Sequence, residues 1–473
     1  MKSNGREAPE PIVNRFGFKS GAAILTVSLA ALLNASPLSA AGLGIAIAVP
    51  TIPQATTTLQ PDETYLRQTL INVYRQNYSL QASRANADAV NNRTYGAVGQ
   101  WLPSVTLQGT MAAGKATVGD KSGSDKPTTM SVTVTQPIWR PNLLPGILAA
   151  NNTDNAEKNR LINAEQQALL NGVTVYFNLA QTSATLELQV SNEHLLTKQL
   201  EAVEQQFNIG TVTGTEVAQA RSALQAAVAQ RSAAAAAFKA AQASYLQVVQ
   251  SAPPPSPPVP LPEKYLPKSE EDALNLAIKF NPLLRAADYD SQAASNQEFA
   301  AWASLGPSVN LVGSYSENRG INPSNASAGS QTTKTTQIMG TVTLPLWDSG
   351  VTYSAIAAQR QVAKAARFQY QATLAAVTQQ VVASFGQLES TREQVKAFDL
   401  AIKANSFALM GTREEVQIGT KTILDLLNAE QALLNSQVSL VQAQYRLQLA
   451  AYQVLAATGA LTASALNLEV GEQ

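Results

Sequence analysis

The segment Leu-Pro-Ser-Val-Thr-Leu at residues 102–107 returns as Gly-Pro-Ser-Val-Asn-Leu at residues 306–311. Three further matches follow the same order in both halves: NYSLQA at 77–82 with NPLLRA at 281–286, TQPIW at 135–139 with TLPLW at 343–347, and IGT at 209–211 and again at 418–420. One such match could arise by chance in alanine-rich helices, but four in one order indicate a duplication of about 200 residues. We therefore expect two copies of one architectural unit, at residues 42–252 and 269–460.

A proline-rich segment separates the two copies. Residues 252–262 read APPPSPPVPLP, and their seven prolines remove backbone donors and favour an extended polyproline conformation. Because no helix can cross such a segment, we expect a semi-rigid linker over residues 253–268. Residues 461–473, beyond the second copy, are expected to form a C-terminal tail.

Each copy contains two runs with the alternating polarity of a β-strand. The four runs cover residues 104–114, 128–138, 308–318 and 334–344. In the first run, for example, Val105 and Leu107 alternate with Thr106 and Gln108. A run of about 11 residues is long enough for a tilted strand to cross a bilayer, with one face toward lipid and the other toward water. A half-buried sheet of a soluble protein is the alternative for these segments.

The surroundings of the four runs favour a membrane. Polar loops rich in Gly, Ser, Asn and Lys, at residues 115–127 and 319–333, join the members of each pair into β-hairpins over residues 104–138 and 308–344. The four tryptophans of the chain lie just beyond strand ends, where an amphipathic ring prefers to meet a membrane interface: Trp101, Trp139, Trp302 and Trp347. A sheet in lipid must close on itself, which takes about eight strands at the least. One chain offers four, so we expect it to oligomerise.

Helical periodicity fills the rest of each copy. Residues 145–207 and 351–416 have no proline after their first turn, and each could run as one helix of roughly 90 Å. Shorter helices are expected at residues 62–100, 216–250, 269–304 and 423–457, where two could stack end to end beside each long one. Leu433, Leu440 and Leu447 keep the heptad spacing of a coiled coil. An ordinary bundle core shares that spacing, but the lengths favour the wall of a tunnel.

The N-terminal segment has the features of a signal peptide. Arg15 and Lys19 precede an apolar run at residues 22–33 that is too short to span a bilayer as a stable helix. Small residues suit cleavage that removes residues 1–41, and cleavage after Ala48 fits the same rule. A signal anchor is the alternative. We expect export from the cytoplasm.

The composition excludes several classes of function. The 33 basic and 33 acidic residues balance, so nothing in the charge favours nucleic acid. The absence of cysteine excludes disulfides, thiolate metal sites and a lipid on an N-terminal cysteine. His194 is the single histidine and cannot build a metal cluster alone. Nucleophile-elbow, phosphate-loop and dinucleotide motifs are absent from strand-to-helix contexts. We expect no cofactor, no metal and no enzyme activity.

The chain resembles the TolC-like outer-membrane factors, the exit ducts of multidrug efflux pumps and type I secretion systems. The resemblance covers essentially the whole mature chain and rests on the duplication, on the order of elements in each half, and on FNIGT at 207–211 and VQIGTKTILDLLN at 416–428. It implies an α+β membrane protein, a homotrimer with a twelve-stranded transmembrane β-barrel and a coiled-coil α-helical barrel of twelve columns reaching into the periplasm. A periplasmic adaptor (membrane fusion protein) and an inner-membrane transporter are the implied partners, beside outer-membrane lipid.

The resemblance also implies a gate at the periplasmic tip. Asp425 matches the first of the acids that ring the narrowest point, and Asn428 stands where many members have a second. Lys421 matches a basic residue of the links that hold the tip closed. Thr215 and Glu216 match the partners of those links in the first half.

The residues leave four points open. Val416 lacks the aromatic hydroxyl that can complete a link in the family, and an acid such as Asp425 is favoured at a helix start by the helix dipole alone. The whole chain could also be a non-pore periplasmic coiled-coil adaptor or scaffold, although an adaptor would more naturally use one helical hairpin than a duplication. The cargo, whether drug, metal ion, polypeptide or oligosaccharide, is set by the inner-membrane pump rather than by the duct.

Overall fold

The computed structural model describes residues 64–118, 121–254, 266–321, 330–466 and 468. All of them belong to one structural unit, Thr56–Gln473. The predicted signal peptide at residues 1–41 and most of the proline-rich linker lie outside the described residues. Among the described helices, none is long and apolar enough to cross a membrane.

Eight helices and six strands make up the described part of the chain. The helices are α1 (Thr64–Gln76), α2 (Tyr78–Gly99), α3 (Leu143–Asn208), α4 (Gly214–Val249), α5 (Glu270–Phe280), α6 (Pro282–Ala303), α7 (Val351–Gln417) and α8 (Ile423–Ala457). The strands are β1 (Ser104–Met111), β2 (Gly114–Val118), β3 (Lys121–Asp125), β4 (Thr128–Trp139), β5 (Ser308–Ile321) and β6 (Ser330–Thr343). The prediction of two long uninterrupted helices is confirmed, because α3 has 66 residues and α7 has 67. At 1.5 Å per residue each is roughly 100 Å long.

The two helices predicted at residues 62–100 and 269–304 are wrong as single helices, since an asparagine breaks each of them. Asn77 has extended backbone angles, and its side chain accepts a hydrogen bond from the amide of Leu80 at 3.1 Å. Asn281 accepts from the amides of Leu283 and Leu284 at 3.0 and 3.2 Å. In both places the asparagine side chain replaces a backbone partner and starts a new helix. The Asn-Pro pair at 281–282 was a readable signal for the second break.

Four of the strands form one antiparallel sheet in the order β1-β4-β5-β6. Val105 lies opposite Val134 and Leu107 opposite Val132, so the apolar positions of neighbouring strands fall on the same face. The pairing of β4 with β5 shifts register between Pro137 and Trp139. A proline cannot donate to the ladder, which explains an irregularity at that point.

The predicted loops between the strands are too long. Residues 115–127 contain the antiparallel pair β2–β3 instead of an irregular loop. Within 319–333, β5 continues to Ile321 and β6 begins at Ser330, while residues 322–329 lie outside the described part. These segments are rich in Gly, Ser, Asn, Asp and Lys, which are depleted in strands and favour turns, although an established ladder can continue through them.

The main core lies where α1, α3, α4, α8 and the segment after α8 meet. Its members include the fully buried Val73, Leu169 and Tyr176 together with Leu461 and Leu468. The expected C-terminal tail thus packs, as far as it is described, into this core.

The tail reaches this core through a turn at Gly459, which has φ +80°. The side-chain amide of Gln166 donates to the carbonyl oxygen of Gly459 at 3.0 Å, and that of Asn281 donates to Ala457 at 3.0 Å. The end of α8 is therefore tied both to α3 and to the break between α5 and α6.

Candidate functional site

The turn between α3 and α4 is closed by local hydrogen bonds at both helix ends. Gly210 has φ +80°, and its amide donates to Phe207, while the amide of Thr211 donates to Gln206 at 3.0 Å. This pair of bonds is the Schellman motif, which satisfies the last carbonyls of a helix. At the start of α4, Thr213 and Glu216 bind each other's backbone amides in a capping box.

The turn between α7 and α8 repeats the same construction. Gly419 has φ +78°, its amide donates to Val416, and the amide of Thr420 donates to Glu415 at 2.9 Å. Thr422 and Asp425 then form the capping box of α8. The two turns are therefore equivalent, as the IGT repeat in the sequence predicted, and we call them the first tip (residues 207–216) and the second tip (residues 416–425).

An apolar cluster holds the two tips against each other. Val203, Ala220 and Ala227 from α3 and α4 pack with Ile423 and Leu427 from α8. All five are at least nine-tenths buried. The duplicated turns thus lie side by side at one end of the helices.

Asp425 and Asn428 are both exposed on the first turns of α8. Asp425 accepts hydrogen bonds from the amide and the hydroxyl of Thr422 at 2.9 and 2.8 Å. These bonds, helped by the charge of Lys421, hold the pKa of Asp425 below its usual range. Asp425 is therefore ionised and caps α8, which is the role that the helix dipole alone would favour. Its side chain is also exposed in the single chain.

Lys421 binds Glu415, near the end of α7, rather than the predicted partners in the first half. Its Nζ lies 2.8 Å from Oε2 of Glu415, and this contact raises the pKa of Lys421. The carboxylate of Glu216 is instead used by the amide and hydroxyl of Thr213, and Thr215 is exposed. Within one chain the structure does not join Lys421 to Thr215 or Glu216, so that link stays a prediction.

The pairing of Glu415 with Lys421 was not predicted, because residues six positions apart do not lie on the same face of a helix. The Schellman turn at Gly419 reverses the chain and brings the two side chains together. An acid before an Ile-Gly-Thr-Lys sequence could have indicated the pair.

The four-stranded sheet has one apolar and one polar face, and the apolar face is exposed in the single chain. Eight large apolar side chains on this face have between 38% and 87% of their surface exposed: Val105, Leu107, Met111, Met130, Val134, Leu311, Ile338 and Val342. The opposite face carries mainly Thr, Ser, Gln and Asn side chains, and the exceptions include Pro137 and the neighbours Val312 and Met339. Toward the far end of the apolar face, Lys334 and Glu317 pair at 3.8 Å. An exposed apolar surface bounded by charge is suited to lipid.

The four tryptophans lie at or near the points where the chain passes between the helices and the sheet. The prediction that each lies just beyond a strand needs correction for two of them, since Trp139 is the last residue of β4 and Trp302 belongs to α6. Trp101 and Trp347 lie in the connections before β1 and after β6. Their exposed fractions run from 42% to 78%. The four rings are therefore exposed and can contact a membrane interface.

Comparison with known proteins identifies the family. Residues 72–249 and 273–460 match the family described as outer membrane efflux protein. The chain belongs to that family. Outer membrane efflux protein BepC of Brucella suis biovar 1 (strain 1330) is 29% identical to this family member over 409 residues, which cover 85% of the chain and 87% of BepC.

Solved structures agree with the fold of this outer membrane efflux protein. The outer membrane channel CmeC of Campylobacter jejuni aligns with a TM-score of 0.73 at 15% identity, covering 87% of this chain and 94% of CmeC. The outer membrane protein VceC of Vibrio cholerae aligns with a TM-score of 0.73 at 18% identity, covering 84% of this chain and 98% of VceC. The fold is thus the TolC-like outer-membrane channel fold, mostly helical with some sheet.

The chain is therefore a subunit of an outer-membrane efflux channel. Its family consists of transport proteins rather than enzymes, and the adaptor alternative is not favoured. Among the residues that the structure describes, no three acidic or histidine side chains come together as a metal site.

Proposed function

We propose that three copies of the chain close one transmembrane β-barrel and continue it as a helical tunnel across the periplasm. The observation that carries this proposal is the sheet, whose apolar face is exposed in the single chain. Its order also leaves β1 and β6 each with a strand neighbour on one side among the described residues. An open edge in lipid would leave backbone groups unpaired at several kcal/mol each. Pairing β1 of one copy with β6 of the next would remove every edge at twelve strands.

The two tips would form the periplasmic gate of this duct. Three Asp425 side chains around the axis would make a focused negative field that attracts cations, and three Asn428 side chains one turn on would add hydrogen bonds without charge. Lys421, Thr215 and Glu216 would link neighbouring tips and hold the gate closed. In the single chain Lys421 and Thr215 are exposed and Glu216 is partly exposed, which supports such contacts.

A periplasmic adaptor and an inner-membrane transporter would open the gate and supply the cargo. Residues 1–41 would direct export as a signal peptide, and residues 253–268 would connect the two copies at 42–252 and 269–460. At the level where barrel and tunnel join, Trp101, Trp139, Trp302 and Trp347 would lie in the membrane interface.

A matched pair of substitutions on β6 tests the barrel. Ile338 is 79% exposed on the apolar face and lies opposite Gly313, while its neighbour Gln337 lies on the polar face opposite Ser314. Ile338→Lys should block insertion, because a lysine on the lipid face costs about 2–4 kcal/mol near the bilayer midplane. Gln337→Lys places the same charge in the aqueous lumen and should still assemble.

The readout is the mass of the detergent-solubilised protein from outer membranes. We expect a trimer for the natural sequence and for Gln337→Lys, and loss of outer-membrane trimer for Ile338→Lys. A monodisperse monomer, or release of the natural protein without detergent, would remove the basis of the barrel and favour an adaptor.

A further inference from the structure

Glu430 is a buried carboxylate in a row of apolar side chains near the tips. It follows Ile423 and Leu427 and precedes Leu434 at spacings of four, three and four residues, so the four share one face of α8. Ile423, Leu427 and Leu434 are 6%, 9% and 6% exposed, and Glu430 is 5% exposed. An apolar residue is expected at this position of a helical seam.

The carboxylate is incompletely compensated. Its Oε1 lies 3.6 Å from Nη2 of Arg413 on α7, whose side chain is half exposed. Its Oε2 has no hydrogen-bond partner among the described residues. A buried charge with one distant partner and an unsatisfied oxygen costs more than it contributes to packing.

Among the described residues, the other side chains packed around this face of α8 place no second charge beside Glu430. The neighbouring side chains of α3 and α4, such as Val203 and Ala227, are apolar. The ion pair of Arg221 with Glu204 bridges α3 and α4 at 2.9 Å, but both side chains are exposed. On α8 itself, Asp425 is exposed. Arg413 is accordingly the charged group whose field acts on Glu430.

We propose that Glu430 is a positioning residue for the gate, whose ionised side chain keeps the seam between α8 and its neighbours weak enough for the tip to open. This proposal rests on the gate proposed above. A leucine in its place would complete the apolar row and tighten the seam. The ionised Glu430 thus destabilises the packing of the closed tip at a position one to two helical turns beyond Asp425.

The sign of the pH dependence follows from the burial. Burial raises the pKa of Glu430 in the packed tip, and Arg413 offsets part of that rise. A conformation that admits water to the seam returns the pKa toward its ordinary value. The packed tip therefore binds the proton more tightly, so acid favours the closed tip and ionisation at higher pH favours opening. Each unit between the two pKa values changes the closed-to-open ratio about tenfold.

Planar-bilayer recording of the full-length channel over a pH series tests the proposal. The resting conductance of the natural protein should rise as the pH increases from the ordinary glutamate range toward neutrality. Glu430→Gln, which is uncharged and nearly isosteric, should give a low conductance without this pH step. The conductance of Glu430→Leu should also be independent of pH, and it should be lower than that of Glu430→Gln.

Arg413→Met gives the sharper result. Without the guanidinium the buried carboxylate is uncompensated, so the midpoint of the conductance step should move to higher pH. Arg221→Met, which breaks the exposed ion pair, is the matched control and should leave the midpoint unchanged. Mass measurement confirms that each variant is an assembled trimer before recording, and Glu430→Gln and Arg413→Met decide the matter if the leucine variant does not assemble.

The outcomes separate the two proposals. A natural channel without a pH step, a Glu430→Gln channel that keeps it, or an Arg413→Met midpoint that does not move overturns the role of Glu430 and leaves the channel intact. Failure of the natural protein to form trimers or to conduct overturns the proposed function itself.

Discussion

Replacing Gly459 with alanine should detach the C-terminal segment from the core. At φ +80° an alanine costs about 1–2 kcal/mol. Its Cβ would also lie 2.6 Å from the carbonyl oxygen of Phe280 and 2.8 Å from the carbonyl carbon. Because these are backbone atoms at the break between α5 and α6, the overlap cannot be relieved by a side-chain rotation, and overpacking of this kind costs about 1–3 kcal/mol. Together the two costs reduce the free energy of unfolding by about 2–5 kcal/mol.

Two other glycines separate these contributions. Gly419 has nearly the same φ, +78°, but a Cβ there would meet nothing within 4 Å, so Gly419→Ala measures the backbone strain alone, about 1–2 kcal/mol. Gly386 lies inside α7 with equally open space, and Gly386→Ala should stabilise the helix by about 0.5–1 kcal/mol.

Thermal and urea unfolding of the detergent-solubilised protein, followed by far-UV circular dichroism, gives the comparison. The unfolding midpoint should be highest for Gly386→Ala, followed by the natural protein and then Gly419→Ala. It should be lowest for Gly459→Ala. If Gly459→Ala unfolds no more easily than Gly419→Ala, the contact with Phe280 does not restrict this turn and the reasoning fails.

The remaining predictions concern the gate and the N-terminus. Asp425→Asn should weaken block by multivalent cations in bilayer recordings while Asn428→Ala should not, and the reverse result would mean that the assigned position is wrong by one helical turn. Lys421→Ala and Glu216→Ala should raise the resting conductance with cation block retained, since they remove links rather than ring charge. N-terminal sequencing of the outer-membrane form should begin after Ala41 or later, and an earlier start would contradict the signal peptide.

The alternation of Val105 and Leu107 with polar neighbours was enough to predict which face of the sheet is apolar, because side chains in a strand alternate with a period of two. The length of α3 was predictable for a similar reason, since helix-breaking residues are local. The repeated Ile-Gly-Thr segments likewise predicted two equivalent turns, as the Schellman and capping-box bonds join residues within six positions of each other.

Contacts between distant residues were decided by the tertiary structure. The burial of Leu461 and Leu468 requires the turn at Gly459. It also requires side chains from α1, α3 and α4, which lie hundreds of residues earlier in the chain. Lys421 acquires Glu415 as its partner when the chain reverses, and Glu430 becomes a buried charge when α7 and the tips pack around α8. In the sequence Glu430 is an ordinary helical acid, because periodicity describes one face of one helix, whereas desolvation depends on what other segments place against that face.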